Sequence, residues 1–266
     1  MTNKNFDFLK NVSLSCRRVS IAKASASDFL GRFRDIVSDP LNAYINRHPR
    51  AGLQFGDFVF LHNGLKVKLR GDFSYYDSFS DILIINSGVH EPLEEYCFQE
   101  VLKLLSERPI MLELGAYWAH YSMWLKKTNP MATCFMVEPD EQNIKVGKFN
   151  FELNNFDGFF INAFVSKSDF SVDNFITSKA ITRLDILHSD IQGFELDMLD
   201  GAEISLRSQI IDWVFLSTHS QELHYSCIKK LEYFGYNILV SSCFEHGTTS
   251  YDGFILAISP KNMARF

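Results

Sequence analysis

The sequence predicts an α/β fold: a seven-stranded, mostly parallel sheet with helices on both faces and an antiparallel last strand. Three observations predict it. From residue 91 onward, strand-like apolar runs alternate with helical segments, the pattern of parallel βαβ units in a doubly wound sheet. The run "IMLEL" ends on Gly115 and passes straight into a helix-like segment, as the first strand of such a sheet does. The last two runs, "NILVS" and "GFILAIS", are separated by a loop too short for a parallel crossover with its helix, so the final strand turns back antiparallel.

The elements follow in order. Helical "EPLEEYCFQEVLKLLSE" precedes "IMLEL". A helix, strand "CFMVEP", helix "DEQNIKVGKFNFELNN" and strand "GFFINAF" come next. Short helical "VDNFIT", strand "LDILHSDI", helix "GFELDMLDGAEIS", strand "DWVFLST" and helix "SQELHYSCIKKLEYFG" lead to the final pair. Gly201 is expected to end its helix in the left-handed conformation. Residues 89–266 therefore form the main domain, and residues 1–88 a small α/β appendage packed directly on it, since no low-complexity linker separates them. The first ten residues are expected to be loosely held. A helix is expected from Ser27, with Phe29, Leu30, Phe33, Ile36 and Val37 on one face. Asp39-Pro40 reads as the cap and first residue of a second short helix. Asn63-Gly64 closes a hairpin in which Leu65, Val67 and Leu69 alternate with solvated Lys66, Lys68 and Arg70. "DILIINSG" reads as a further short strand.

Composition narrows the function. Hydrophobic residues make up 46% and charged residues 22% of the 266 positions, which suits a globular fold whose 25 phenylalanines fill much of the core. A net charge of −6 argues against a nucleic-acid binder, which needs a basic surface. The five cysteines form no C-x-x-C pair, an odd and scattered set that reads as buried thiols in a reducing compartment. No apolar run reaches membrane length and no leader pattern opens the chain, so a cytoplasmic protein is expected. The sequence carries no signal of oligomeric state.

Ligands of such sheets sit at the carboxyl ends of the strands, where strand order reverses. The first strand ends at Glu113-Leu114-Gly115. Glu138, at the end of the second, lies 23 residues beyond Gly115, a spacing that suits an acid accepting both ribose hydroxyls of a nucleoside. A pyrophosphate needs further glycines, but Tyr117, Trp118 and Ala119 fill this turn. The bulk fits a phosphate-free nucleoside instead, S-adenosylmethionine above all, with Glu113 near its ammonium group. A tight structural turn at Gly115 and a surface acid at Glu138 are the plain alternative.

Four stretches then resemble a known family. "LELGAYWAHYS" is similar to the first motif of class I methyltransferases. "VEPDEQNIKVGKFNFELNN" and "LDILHSDIQGFELDMLDGAE" resemble segments of the FkbM-type methyltransferases, the second being that family's most distinctive, and "FLSTHS" resembles its fifth-strand end. The likeness spans roughly residues 85–259. It implies a Rossmann-like S-adenosylmethionine domain that methylates a hydroxyl oxygen of a sugar, glycan or other small-molecule acceptor. By position it implies Glu113, Gly115 and Ala116 at the methionine end, Glu138 at the ribose, Asn162 near the adenine, and Asp190 and His219 facing the methyl group. Ala119 stands where the family usually has glycine, His188 where it often has lysine, and Gln192 where it often has glutamate.

Transfer to an alcohol requires alignment, exclusion of water and removal of a proton. His219, with a pKa near neutrality, is expected to be the general base and Asp190 to orient it or bind substrate. A divalent metal held by Asp190 with His219 or Glu195 is the less favoured alternative, since the linear sequence shows no dense carboxylate cluster. Asp190 is also placed to cap the following helix. His90 and Glu91 are candidates for the rim of the acceptor cleft, and His224 and Cys227 for packing. A nucleotide-dependent oxidoreductase and a catalytically silent nucleoside-binding protein are the competing readings.

Overall fold

The computed structural model describes residues 6–16, 24–25, 27–244 and 249–265. Its front part contains α1 (Phe8–Cys16), α2 (Phe29–Val37), a 3-10 turn at Pro40–Ala43, strands β1 (Gln54–Phe55), β2 (Phe58–Phe60) and β3 (Lys66–Lys68), and α3 (Asp81–Ile85). Of the first ten residues, 1–5 lie outside the described residues and Phe8 is buried; beyond them Val12 is buried and Asn11 donates to the Tyr96 hydroxyl at 2.9 Å. Asp28 caps α2 by accepting from the Gly31 N–H, and Asp39 caps the 3-10 turn through the Leu41 N–H. Of the expected apolar face of α2, Ile36 is buried and Phe29 and Phe33 pack on Phe79, whereas Leu30 and Val37 face solvent. β2 and β3 form the expected hairpin, with Val59 opposite Val67. "DILIINSG" is helical rather than a strand. It closes through Asn86 N–H to the Ile82 carbonyl and Gly88 N–H to the Leu83 carbonyl.

The main sheet begins after α4 (Pro92–Leu102). It comprises β4 (Ile110–Leu114), β5 (Thr133–Glu138), β6 (Phe159–Asn162), β7 (Leu184–Ser189), β8 (Ile211–Thr218), β9 (Asn237–Ser242) and β10 (Gly253–Ile258). The spatial order is β6-β5-β4-β7-β8-β10-β9. β4, β5, β6, β7 and β8 are parallel, while β10 runs antiparallel between β8 and β9, as the short final loop predicts. The helices α5 (His120–Thr128), α6 (Glu141–Leu153), α7 (Val172–Ser178), α8 (Glu195–Asp200), α9 (Glu203–Arg207), α10 (Gln221–Tyr233) and α11 (Pro260–Met263) complete the fold. The predicted "GFELDMLDGAEIS" helix is two helices. Gly201 between them has φ −79°, right-handed rather than left-handed, so the chain bends there without a glycine-specific turn.

Each face of the sheet has its own core. One is built by Leu112, Leu187, Val214 and Ile255 with α7, α8 and α10. The other joins Met111, Ile186 and Phe215 to Phe98, Trp124 and the front-part residues Leu61, Leu65, Val67 and Leu83. The front part thus shares a core with the sheet. Cys134, Cys227 and Cys243 are buried free thiols and Cys97 is buried as well; the side chain of Cys16 and the middle of the "SCFEHGTTSYD" loop lie outside the described residues. Among the described residues no helix is long and apolar enough to cross a membrane.

Candidate cofactor and acceptor site

β4 pairs with β5 on one side and β7 on the other, so strand order reverses at its carboxyl end. Gly115 follows β4 and Asp190 follows β7. Gly115 has φ +72°, and a Cβ there would overlap the carbonyl oxygen of Asp190. The glycine is therefore required by the approach of two strand ends, a reason distinct from passage of a ligand. The N–H groups of Gly115 and Ala116 both donate to the Val137 carbonyl, at 2.9 and 3.1 Å. Tyr117 (φ +43°) and Ala119 (φ +59°) are also left-handed. The residue that stands in place of the family's glycine thus carries a conformation glycine adopts freely.

The two strand-end acids shape this turn. Glu113 is buried and accepts from the Ser122 N–H at 3.1 Å, capping the first turn of α5; burial pushes its carboxyl above the usual range. Glu138 is buried as well. Its carboxylate accepts from the N–H of Tyr117 (3.1 Å), the N–H of Asp140 (3.1 Å) and the Asn143 amide (3.2 Å). Asn162 does not reach the crevice wall. Its amide is engaged by the carbonyls of Glu138 and Pro139, at 3.1 and 2.8 Å.

Two adjoining cavities open over these strand ends, sharing Gly115, Tyr117, Asn143, Asp190 and Gln192. The smaller, about 300 Å³, sets Glu138 beside an apolar slot of Pro139, Phe164, Val165, Ile191 and Phe194. A flat base beside a ribose-binding carboxylate needs this pairing, so the residues fit the nucleoside half of S-adenosylmethionine. The larger, about 820 Å³, includes Glu113 and Ala116 in its wall and extends to His90, Glu91, His219, Tyr251, Asp252 and the front-part residues Arg32, Tyr75 and Tyr76. Volumes of this order hold small-molecule ligands.

His219 lies at the floor of the larger cavity. Its Nδ1 is 2.9 Å from Glu195 Oε1, and its Nε2 is 3.2 Å from Asp190 Oδ1 and 3.8 Å from Asp252 Oδ1. Burial disfavours the imidazolium, but these carboxylates outweigh it and raise the pKa to about 10. The ring is thus protonated at neutral pH, in contrast to the expected near-neutral pKa of a free base. Asp190 caps no helix. The residue before α8 is Phe194, and the Asp190 carboxylate meets His219 and the Gln192 amide. Glu195 accepts from the Gly193 N–H (3.1 Å) and Ile191 N–H (3.3 Å), which fixes the loop after β7. Ligand atoms of Asp190, Glu195 and His219 all lie within 4.8 Å of one another, close enough to hold a cation. The dense carboxylate grouping absent from the linear sequence is assembled in space, with Asp252 supplied by the loop before β10. Burial pushes Asp252 up to about 6 and Glu91 up to about 8.

His90 and Glu91, the candidates for the rim of the acceptor cleft, line the larger cavity together with Trp118. Glu91 accepts from the Tyr121 hydroxyl at 3.0 Å, and Trp118 stacks on Tyr75 with ring centroids 4.3 Å apart. His188, in the position of the family's lysine, is held 2.6 Å from Glu94. His224 and Cys227 are buried on α10, consistent with packing.

The reversed strand order, the antiparallel insertion of β10 and a nucleoside-shaped crevice define a class I methyltransferase. The chain belongs to the FkbM methyltransferase family: the methyltransferase FkbM domain matches residues 70–238, more than half of its length. Its activity is accordingly methyl transfer, with S-adenosylmethionine as cofactor, which sets aside the oxidoreductase alternative. The matched region begins at residue 70, inside the expected appendage.

Solved structures include similar chains. A precorrin-6y C5,15-methyltransferase from Geobacter metallireducens GS-15 is 15% identical, with TM-score 0.46 over 61% of this chain and 86% of that one. A ribosomal protein L11 methylase from Lactobacillus delbrueckii subsp. bulgaricus is 13% identical, with TM-score 0.45 over 65% and 80%. M. capricolum TrmK, in complex with S-adenosyl-homocysteine, is 15% identical, with TM-score 0.44 over 62% and 68%. No curated protein sequence matches the chain.

Proposed function

We propose that the protein methylates a hydroxyl oxygen of a sugar, glycan or related small metabolite. The observation that carries this reading is that the larger cavity gathers the carboxyl groups of Glu91, Asp190 and Asp252 with the aromatic side chains of Tyr75, Trp118 and Tyr251. Carboxylates accept hydroxyl donors in pairs, and aromatic rings cover the apolar face of a sugar. Residues 1–88 serve the acceptor side, through Arg32, Tyr75 and Tyr76.

When bound, the cofactor supplies a methyl group already activated on a sulfonium. Glu138 would hold its ribose, the Pro139–Phe164–Phe194 slot its base, and Glu113 its ammonium end; Asn162 supports the turn at Glu138 rather than touching the base. What remains for the protein is to position the acceptor and take its proton. Asp190 borders both cavities, so Asp190 receives the hydroxyl proton. Protonated His219, fixed from behind by Glu195, holds Asp190 in place. The unit of Asp190, His219 and Glu195 then carries net −1 before transfer and zero after it, complementing a positive reactant that becomes neutral.

The test is incubation of the purified protein with methyl-labelled S-adenosylmethionine and a panel of glycosides, phenols, amines, thiols and RNA, with products read by mass spectrometry. A methyl ether is expected. Methyl groups found only on nitrogen, sulfur, carbon or RNA would overturn the reading.

A further inference from the structure

A second histidine–carboxylate group lies away from His219, where the β2–β3 hairpin meets α4 and α5. We propose that His62, Glu95 and His120 form a buried site for a divalent transition-metal ion of the zinc class. His62 comes from the hairpin loop, Glu95 from α4 and His120 from the first turn of α5; their exposures are 1%, 0% and 1%. One ligand atom from each lies within 4.8 Å of the others. A tetrahedral ion with bonds of about 2.0–2.2 Å spaces its ligands by about 3.4 Å, so closing the site needs side-chain movements of about 1 Å.

The hydrogen-bond inventory supports an ion over a packed polar cluster. Among the described residues, neither ring nitrogen of His120 has a hydrogen-bond partner, and neither nitrogen of His62 makes a well-aligned one. Glu95 divides its two oxygens. Oε1 accepts from the N–H groups of His90 (2.8 Å) and Glu91 (3.0 Å) and stands 2.6 Å from the His90 ring. Oε2 makes no well-aligned hydrogen bond and stands 3.0 Å from His62 Nε2. Both nitrogens of His120 and Nδ1 of His62 are thus left without a partner at one buried point, which native interiors rarely allow. Oε1 is thus the anchored oxygen and Oε2 the one offered, the division seen when an outer group orients a metal-binding carboxylate.

Two imidazoles with one carboxylate favour zinc over magnesium or calcium, which take oxygen ligands. A surface cavity of about 380 Å³ lined by His48, His62, Asn63 and Gln99 gives an entry path. His120 follows Ala119 directly, so an ion here would pin the hairpin to the helix that begins at the cofactor turn.

The test is metal analysis of the full chain loaded with Zn²⁺ and dialysed, with X-ray absorption at the zinc edge. One tightly held zinc per chain is expected, with two imidazoles and one carboxylate in its shell and a raised melting temperature. A shell of one imidazole with several carboxylates would place the ion at His219, and zinc lost on dialysis would mean no site; either result overturns the proposal. His62→Ala and His120→Ala should abolish retention while His219→Asn leaves it intact, and the reverse pattern refutes it. If the first two variants fail to fold, the absorption spectrum of the unaltered chain decides.

Discussion

Nδ1 of His219 stands 2.9 Å from Oε1 of Glu195, a carboxylate fully shielded from solvent. With Asp190 on the other ring nitrogen, this contact decides the charge of the imidazole. His219 is expected to titrate near 10 in the ligand-free protein, well above the ordinary histidine value of about 6.5. Its ring resonances, followed by NMR, should move toward neutral pH in Glu195→Gln. The linkage has a definite sign. A raised folded-state pKa gives stability that is complete below about 6.5 and lost as pH rises through about 10. Glu195→Gln should therefore cost more melting temperature at pH 6 than at pH 10.5. An unperturbed histidine titrating near 6.5 would refute the ion-paired arrangement.

Asp190 is the member of this group that borders both cavities. Asp190→Asn removes the proton acceptor while keeping the shape. Loss of general-base function costs about 10²–10⁴ in rate, so kcat should fall by that order while cofactor affinity stays within a few-fold. His219→Asn should also depress kcat, since Asp190 loses its holder. A full rate for Asp190→Asn, measured by methyl transfer to any working acceptor, would remove Asp190 from the chemistry.

Glu138 organises the crevice before any ligand arrives, because its two oxygens already accept from Tyr117, Asp140 and Asn143. Glu138→Ala leaves those donors unpaired and removes the ribose-side carboxylate. Hydrogen bonds to charged groups are worth about 1.5–3 kcal/mol, so the Kd for S-adenosylmethionine should rise about 10–100-fold. Calorimetric titration with the cofactor and its demethylated product gives the value. An unchanged Kd would show that Glu138 only braces the turn.

The sheet was legible in the sequence because its period is local: apolar runs of strand length, helices of crossover length and one short final loop. Glu113, Gly115 and Glu138 could be placed at strand ends by the same local period, whereas Asp190 and His219 were singled out by the family resemblance. What could not be read was the grouping of residues from distant elements. Asp252 precedes the last strand and Glu91 precedes α4, and only the sheet order brings both to the cavity of His219. The protonated state of His219 depends on three carboxylates whose proximity is tertiary. Asn162 sits at the expected strand end, but side-chain direction rather than position turned it away from the crevice. The "DILIINSG" misreading has a related cause, since β-branched content favours a strand only where a partner strand exists.

Gly115 offers the sharpest test of why the turn carries its glycine. If the residue served only to admit a ligand, Gly115→Ala would weaken cofactor binding and leave the fold intact. The geometry demands more. A methyl group would overlap the Asp190 carbonyl, a backbone atom fixed by the Asp190 N–H to Leu114 carbonyl bond at 3.0 Å, and φ is +72°. Neither strand can give way without disturbing the parallel pairing that sets Leu114 opposite Ser189. The substitution combines overpacking with a strained backbone, each worth about 1–3 kcal/mol. Gly115→Ala is therefore expected to lower the unfolding free energy by about 2–5 kcal/mol in the absence of any ligand, measured by denaturant titration. Unchanged stability with weakened binding would return the glycine to its ligand-passing role.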